Sequence, residues 1–408
     1  MEVISKRISM FKRLIFRTTK HNRYSVTALV SAVLSEIENV EILETKNVAD
    51  ILQYPVSDTA VAFSFMTFDL DTVIEELRVL KKHGYTVIAG GPHATALPFE
   101  LLELGFDYVF VGDGEENIIR FLKGELPENR IFDGVKNRVD LNKYPPICEK
   151  KKLFMPIEIS RGCPFDCGYC QTPRLAGKIV RHRSIEQIVE YEKISVKHGK
   201  TIARFITPNA FGYGSKNGVK PMPEVVDELL YKIKSTGVKE IYFGTFPSDV
   251  RPESVTDEMV KVIKKYVNHD YIVIGAQSGS NRILQLIRRG HTVEKVEEAL
   301  EILANNGFYA KVDFIFGFPF ETKEDVEQTF NFIEKIVKRY NAKIHAHTFM
   351  PLPGTPLSDV GPGVLKDYHY KFLGQLASKG ILDGYWLKQE QLAKKAVQNM
   401  KIKVGNEF

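Results

Sequence analysis

The residues from 160 to 173 read Ser160-Arg-Gly-Cys163-Pro-Phe-Asp-Cys167-Gly-Tyr-Cys170-Gln-Thr-Pro173, which places three cysteines within eight positions. The whole chain has only four cysteines. A tight loop with this spacing can aim three thiolates at one point, as a cubane iron–sulfur cluster requires. Three ligands for four irons leave one iron without a protein ligand, and an open position on a metal centre signals chemistry rather than structure. A structural zinc site would need a fourth Cys or His at regular spacing, and Cys148 lies fifteen positions upstream of Cys163. A disulfide scaffold does not fit three clustered cysteines in a chain otherwise poor in them. Cys148 itself reads as a plain small residue.

The Cys-x3-Cys-x2-Cys loop, with Tyr169 just before the last cysteine, resembles the signature of radical S-adenosylmethionine enzymes. The resemblance implies a 4Fe–4S cluster on Cys163, Cys167 and Cys170, with the methionyl amine and carboxylate of S-adenosylmethionine on the open iron. It further implies one-electron cleavage of the sulfonium to a 5′-deoxyadenosyl radical. Cofactors carry such chemistry while the protein binds and orients them.

A chain of 408 residues has room for two domains and a small appendage. The hydrophobic fraction of 44% and the charged fraction of 26% fit a globular protein. No run approaches the roughly 18 apolar residues of a membrane span, and Met1 to Lys20 shows no signal-peptide core. These features, with so few cysteines, lead to the expectation of a cytoplasmic protein without membrane contact. The net charge of +5, from 56 basic and 51 acidic side chains, permits an RNA or acidic partner without arguing for one.

Elements that would position the cysteine loop alternate along the chain. In residues 1–140, strands are expected at Leu14–Arg17, Val40–Leu43, Val61–Phe65, Thr86–Ala89 and Tyr108–Val111. Helices are expected at Ser25–Glu38, at Asp69–His83 (ending on Gly84), and in a segment ending near Gly105. This alternation predicts an α/β fold with a doubly wound, Rossmann-like parallel sheet. Ligands on such sheets bind at the strand carboxyl ends, where Gly90, Gly91, Pro92 and His93 form one predicted loop and Gly112, Gly114 and Glu115 another. The wording "AGGPHATALP" and "DYVFVGDGEE" resembles the cobalamin-binding domain found ahead of radical S-adenosylmethionine cores, over about residues 10–120, and implies that these seven residues bind cobalamin. The Asp-x-His-x-x-Gly loop of many cobalamin folds is missing: the corresponding segment reads Arg17-Thr-Thr-Lys-His21-Asn. His21 is either a lower cobalt ligand or a surface histidine. Residues 141–154 are expected to form a linker.

Residues 155–360 follow with strands beginning near 155, 202, 240, 271, 310 and 344, which predicts a partial six-stranded (β/α) barrel with its chemistry at the strand carboxyl ends. The basic run Arg181-His182-Arg183 before a helix capped by Ser184 reads equally as a solvated turn or an anion anchor. By resemblance to family segments, Thr207 and Asn209 are candidates for the amino group of S-adenosylmethionine, and Ser248 and Arg251 for its carboxylate. Gln277, Ser278 and Ser280, in "GAQSGSNRILQLIRRGHT", are candidates for its ribose or carboxylate, and Gly317 and Pro319 for its adenine edge. His345 and His347 are two apart on a predicted strand and face one side. Residues 361–408 read as a helical C-terminal tail with a Lys-rich end (Lys388, Lys394, Lys395, Lys401, Lys403).

Together these features lead to the expectation of a cobalamin-dependent radical S-adenosylmethionine methyltransferase. It would act on an unactivated carbon through a 5′-deoxyadenosyl radical and methylcobalamin, with electrons from a donor such as ferredoxin or flavodoxin. A methylthiotransferase acting on tRNA or protein resembles the core as well, but such enzymes carry an N-terminal three-cysteine domain. A non-methylating cobalamin enzyme, or a sensor that binds iron–sulfur or cobalamin without turnover, completes the alternatives.

Overall fold

The computed structural model describes residues 9–402. Lys403 and the first eight positions of the N-terminal segment lie outside the described residues. The chain divides into two compact units, one built on residues up to Met155 and the other on Pro156 onward. Arg174–Ala176 and the segment from Gln398 group with the first.

The first unit is a six-stranded parallel sheet made of β1 (Arg13–Arg17), β2 (Glu41–Thr45), β3 (Thr59–Ser64), β4 (Thr86–Gly90), β5 (Tyr108–Gly112) and β6 (Ile131–Gly134). Its strand order is β2-β1-β3-β4-β5-β6. Successive residues of each strand point to opposite faces. Leu14, Phe16, Ala60, Ala62, Ile88 and Phe110 therefore share one core with α1 (Arg23–Glu36). Ile15, Val61, Phe63, Val87, Ala89 and Val109 share another with α2 (Leu70–Lys82). Burial on both faces explains why these strands are continuous apolar runs.

Two expectations need correction here. Gly91-Pro-His93 is the start of a short helix, α3 (Gly91–Ala96), followed by α4 (Pro98–Glu103). Pro92 supplies the fixed φ suited to a first turn, and Pro98 forces the break. The segment after α5 (Glu115–Leu122) is no simple connector either. It contributes β6, and within 141–154 Tyr144, Ile147 and Cys148 are buried, with the Ser31 hydroxyl donating to the Ile147 carbonyl at 2.5 Å.

The second unit begins with β7 (Ile157–Glu158) and a two-stranded ribbon, β8 (Ser160–Arg161) with β9 (Arg181–His182), with the cysteine loop between them; the short α6 (Thr172–Ala176) follows that loop, and its last three residues group with the first unit. The barrel strands are then β10 (Ile202–Ile206), β11 (Glu240–Tyr242), β12 (Tyr271–Gln277), β13 (Tyr309–Phe316) and β14 (Lys343–Thr348). The sheets β7-β10-β11 and β12-β13-β14 are stitched by a Val250–Ile274 bridge and by the Val273 amide on the Gly244 carbonyl, 2.9 Å. The surrounding helices are α7 (Ile185–Lys197), α8 (Pro223–Lys234), α9 (Asp257–Lys264), α10 (Asn281–Leu286), α11 (Val293–Asn305) and α12 (Lys323–Tyr340). Ser184, Thr256, Ser280, Thr292 and Thr322 cap α7, α9, α10, α11 and α12 by accepting a backbone NH.

The tail is more than helical. Between α13 (Asp367–Ser378) and α14 (Trp386–Asn399) lies β15 (Leu382–Asp383), which pairs in parallel with β14 and extends the barrel by one strand. Trp386 joins the barrel's apolar core, and its carbonyl accepts from the Thr348 hydroxyl at 2.8 Å.

Candidate active site

The cysteine loop is held by backbone contacts that admit few substitutions. Gly162 has φ +101°, and a Cβ there would lie 2.2 Å from the Ile179 carbonyl oxygen, so only glycine fits. The Cys163 amide donates to the Gly177 carbonyl (2.9 Å) and the Gly168 amide to the Ile287 carbonyl (2.8 Å). The basic run 181–183 is part of the scaffold of the cysteine loop rather than a solvated turn. Arg181 and His182 pair with the strand that leads into the loop. His182 bridges the Ser160 hydroxyl and the Ser215 carbonyl, and the buried Arg183 Nε donates to the Glu158 carbonyl.

Cys163, Cys167 and Cys170 all line one cavity of about 260 Å³ that opens to solvent. Two guanidiniums reach Cys167 Sγ, Arg289 Nη1 at 3.6 Å and Arg251 Nη1 at 3.7 Å. Burial pushes the Cys167 thiol up, but these two positive charges outweigh it and hold the thiol below its ordinary range. Burial raises Cys163 instead. Thr172 lies against Cys170 Sγ through its amide (3.4 Å) and hydroxyl (3.3 Å). Three thiols on one wall, with cationic and NH donors behind them, fit an anionic iron–sulfur cluster.

Of the expected cosubstrate residues, Thr207, Arg251 and Gln277 line this cavity. Gln277 ends β12 with φ +77° beside a register shift, a strained backbone of the kind found at functional positions. Asn209 borders a smaller neighbouring pocket with Cys163. Its Oδ1 accepts from the Arg251 amide (3.2 Å) and the Ser254 hydroxyl (3.0 Å), which positions Arg251. Ser248 donates to the Thr245 carbonyl, Ser280 caps α10 and donates to Asp325, and Ser278 approaches Thr329. All three hydroxyls are committed away from the cavity. Gly317 (φ +78°) turns the chain against Val364, and Pro319 is exposed. The cavity also takes Tyr169 of the cysteine-loop signature, and Phe246, Asp249, Arg289 and Asp313, which sequence reasoning did not select. Asp313 had a signal: a lone carboxylate inside the apolar run Val312-Asp313-Phe314-Ile315.

In the first unit, the strand order reverses between β1 and β3, and Asn22 Nδ2 spans their ends by donating to the Arg17 and Ser64 carbonyls. Gly90 closes β4 nearby. A Cβ on it would have only ordinary neighbours, at 3.7 Å or more, so its missing side chain leaves room for a large ligand to approach the backbone. A Cβ on Gly91 would lie 2.7 Å from Ser64 Oγ. The space beside Gly112 is taken by Gly134, 2.7 Å from a Cβ position. A Cβ on Gly114 would meet Leu29 at 3.0 Å, and Glu115 is buried in the first turn of α5. His93 is fully buried against Phe65 and Thr67, where burial lowers its pKa to about 4. Pro92 sits beside it in the first turn of α3. His21 lies half-exposed with Nδ1 3.9 Å from Asp69 and its ring edge on Phe68. The open carboxyl edge at Gly90 fits cobalamin.

Comparison with known proteins agrees with this geometry. The family model for the radical SAM superfamily matches residues 157–333, and that for the B12 binding domain matches 25–122. A curated relative is the tRNA-2-methylthio-N(6)-dimethylallyladenosine synthase of Aquifex aeolicus, 33% identical over 253 residues, covering 58% of this chain and 54% of that protein. The chain spans about half to two thirds of the length of such relatives. Among solved structures, the radical S-adenosylmethionine methyltransferase TsrM from Kitasatospora setae, with cobalamin and a 4Fe–4S cluster bound, superposes with TM-score 0.66 at 16% identity, over 86% of this chain and 77% of that one. The cobalamin-dependent radical enzyme OxsB superposes with TM-score 0.59 at 17% identity, over 81% and 52%. The cofactors are a 4Fe–4S cluster, S-adenosylmethionine and cobalamin. The chain thus carries a B12-binding domain followed by a radical SAM domain.

Proposed function

We propose that the protein is a cobalamin-dependent radical methyltransferase acting on a carbon without an activating group. The observation that carries this is the pairing of a B12-binding unit with a cysteine-lined barrel cavity in one chain. When bound, the three cofactors supply a 5′-deoxyadenosyl radical and a transferable methyl group. The chain's own residues do the rest. Cys163, Cys167 and Cys170 hold the cluster, and Arg251 and Arg289 balance its negative charge at Cys167. Thr207 and Gln277 offer polar atoms to the cosubstrate across the same cavity. Phe246, 69% exposed at the cavity wall, offers a flat apolar face. Electrons would come from a ferredoxin- or flavodoxin-like donor. No helix among the described residues is long and apolar enough to cross a membrane.

Methylthio transfer to tRNA is the second reading, favoured by the names of the curated relatives. Against it, the unit ahead of the barrel is a B12-type sheet whose only cysteine, Cys148, is 4% exposed in an apolar core. The deciding experiment uses anaerobically reconstituted protein and methyl-deuterated S-adenosylmethionine, with and without hydroxocobalamin. Small-molecule, tRNA and protein fractions of a cell extract serve as substrates. Transfer of the labelled methyl to carbon only when cobalamin is present is the expected result. Labelled methylthio groups on tRNA, at a rate indifferent to cobalamin, would overturn the proposal in favour of the second reading.

A further inference from the structure

The cysteine-lined cavity of the barrel holds two buried carboxyl groups for which the described residues offer no ion-pair partner. On β13 and β14, Val312, Phe314, Ile344 and Ala346 belong to the outer apolar core. Asp313, His345 and His347 occupy the alternate, inner positions, with Asp313 opposite His345 in register. Asp313 and Asp249 both line the cysteine-lined cavity. Asp313 is only 8% exposed, and no hydrogen bond described for the chain reaches its carboxylate. Asp249 Oδ1 is buried without a hydrogen-bond partner.

The basic side chains nearby, Arg289 and His345, already have hydrogen-bond partners. Arg289 donates to the Gly275 carbonyl at 2.7 Å and to Cys167. His345 Nδ1 hydrogen-bonds the carboxylate of Asp383. Burial, partly offset by His345 and Arg289, pushes Asp249 up to about 6, and burial together with the neighbouring Asp249 raises Asp313 well above the usual carboxylate range. Burial therefore favours the protonated, neutral carboxyls, and a cation arriving between them would stabilise the ionised form.

A divalent metal is one such partner, because donor atoms of Asp313, His345 and His347 lie within 4.8 Å of one another. The hydrogen bonds around His347 argue against it. The Thr348 amide donates to Gln389 Oε1 at 3.0 Å, so Gln389 Nε2 must donate to His347 Nδ1, also at 3.0 Å. That leaves the hydrogen of neutral His347 on Nε2, with no lone pair free for a metal.

We propose that Asp249 and Asp313 form a binding site for a protonated nitrogen, an alkylammonium or guanidinium group, within the cysteine-lined cavity. This rests on the radical-enzyme reading, in which that nitrogen belongs to the substrate.

The test uses the full reconstituted chain and three probes of similar size: butylammonium, methylguanidinium and neutral butanol. Binding is followed by saturation-transfer NMR. The cations should bind at least tenfold more tightly than butanol. Asp313→Asn and Asp249→Asn should abolish that preference, and Asp313→Glu should retain part of it, with thermal melts checking that each variant is folded. Equal binding of cations and butanol, or an unchanged preference in both Asn variants, would overturn the site. So would stoichiometric zinc or manganese that is lost in Asp313→Asn. Binding of the cation together with S-adenosylmethionine would support a substrate site, and displacement of the cation by S-adenosylmethionine would overturn it. Dithionite-driven release of 5′-deoxyadenosine by the unsubstituted protein tests the radical reading separately, so one can fail while the other stands.

Discussion

Cys167 is the cysteine most tightly bound to its surroundings, since two arginines reach its sulfur and Arg251 also stacks on Phe165, 3.4 Å from the ring centroid. Charge and hydrogen bonding at cluster sulfurs set the reduction potential. Replacing Arg289 by Gln removes a positive charge while leaving a donor for the Gly275 carbonyl. We expect the 4Fe–4S potential to fall by roughly tens of millivolts with iron content retained, as read by EPR-monitored redox titration. An unchanged potential would show that the arginine only fills space. The three cysteines were legible in the sequence because their spacing alone specifies the geometry. Arg289, Asp249 and Asp313 were not, because each comes from a different strand or loop and acquires its role only when the barrel closes around the cavity.

At the level of elements, helix spacing and caps such as Ser184 could be read directly, because both are local. The two-residue β15 could not: flanked by Gly380 and Gly384, it is a strand only because β14 offers an edge. Gly384 has φ +114°, and a Cβ there would lie 2.4 Å from the Ala346 carbonyl oxygen. Gly384→Ala should therefore destabilise the barrel by about 2 kcal/mol or more, seen as a lower denaturant midpoint. No shift would mean that β15 contributes little. Glu192 on α7 tests the opposite sign. It is 3% exposed, and burial pushes its pKa from 4.5 up to about 8. The folded chain thus keeps a proton that the unfolded chain releases above pH 4.5, so stability is lost as pH rises toward 8. Glu192→Gln should raise the melting temperature at pH 8, by up to about 5 kcal/mol of stability less the burial cost of the amide, and change little near pH 4.5. Equal effects at both pH values would exclude this linkage.

On the scale of the whole molecule, each unit has its own apolar core, and under the proposed function each would hold its own cofactor, so occupancy of the two should be separable by mutation. Gly90 is the position to probe. Its φ of −147° is ordinary extended backbone, and a Cβ there meets nothing closer than 3.7 Å, so the sheet of Gly90→Val should fold. A branched side chain at the carboxyl end of β4 would occupy the space through which a corrin approaches. We expect cobalamin binding to weaken at least tenfold, while iron content and dithionite-driven cleavage of S-adenosylmethionine persist. Cys163→Ala should do the reverse, losing iron and cleavage while still taking up hydroxocobalamin. Cobalt and iron measured on the same desalted samples decide the matter. If Gly90→Val binds cobalamin as tightly as the unsubstituted chain, the ligand does not use the β4 edge. If Cys163→Ala loses both metals, the units are coupled rather than independent.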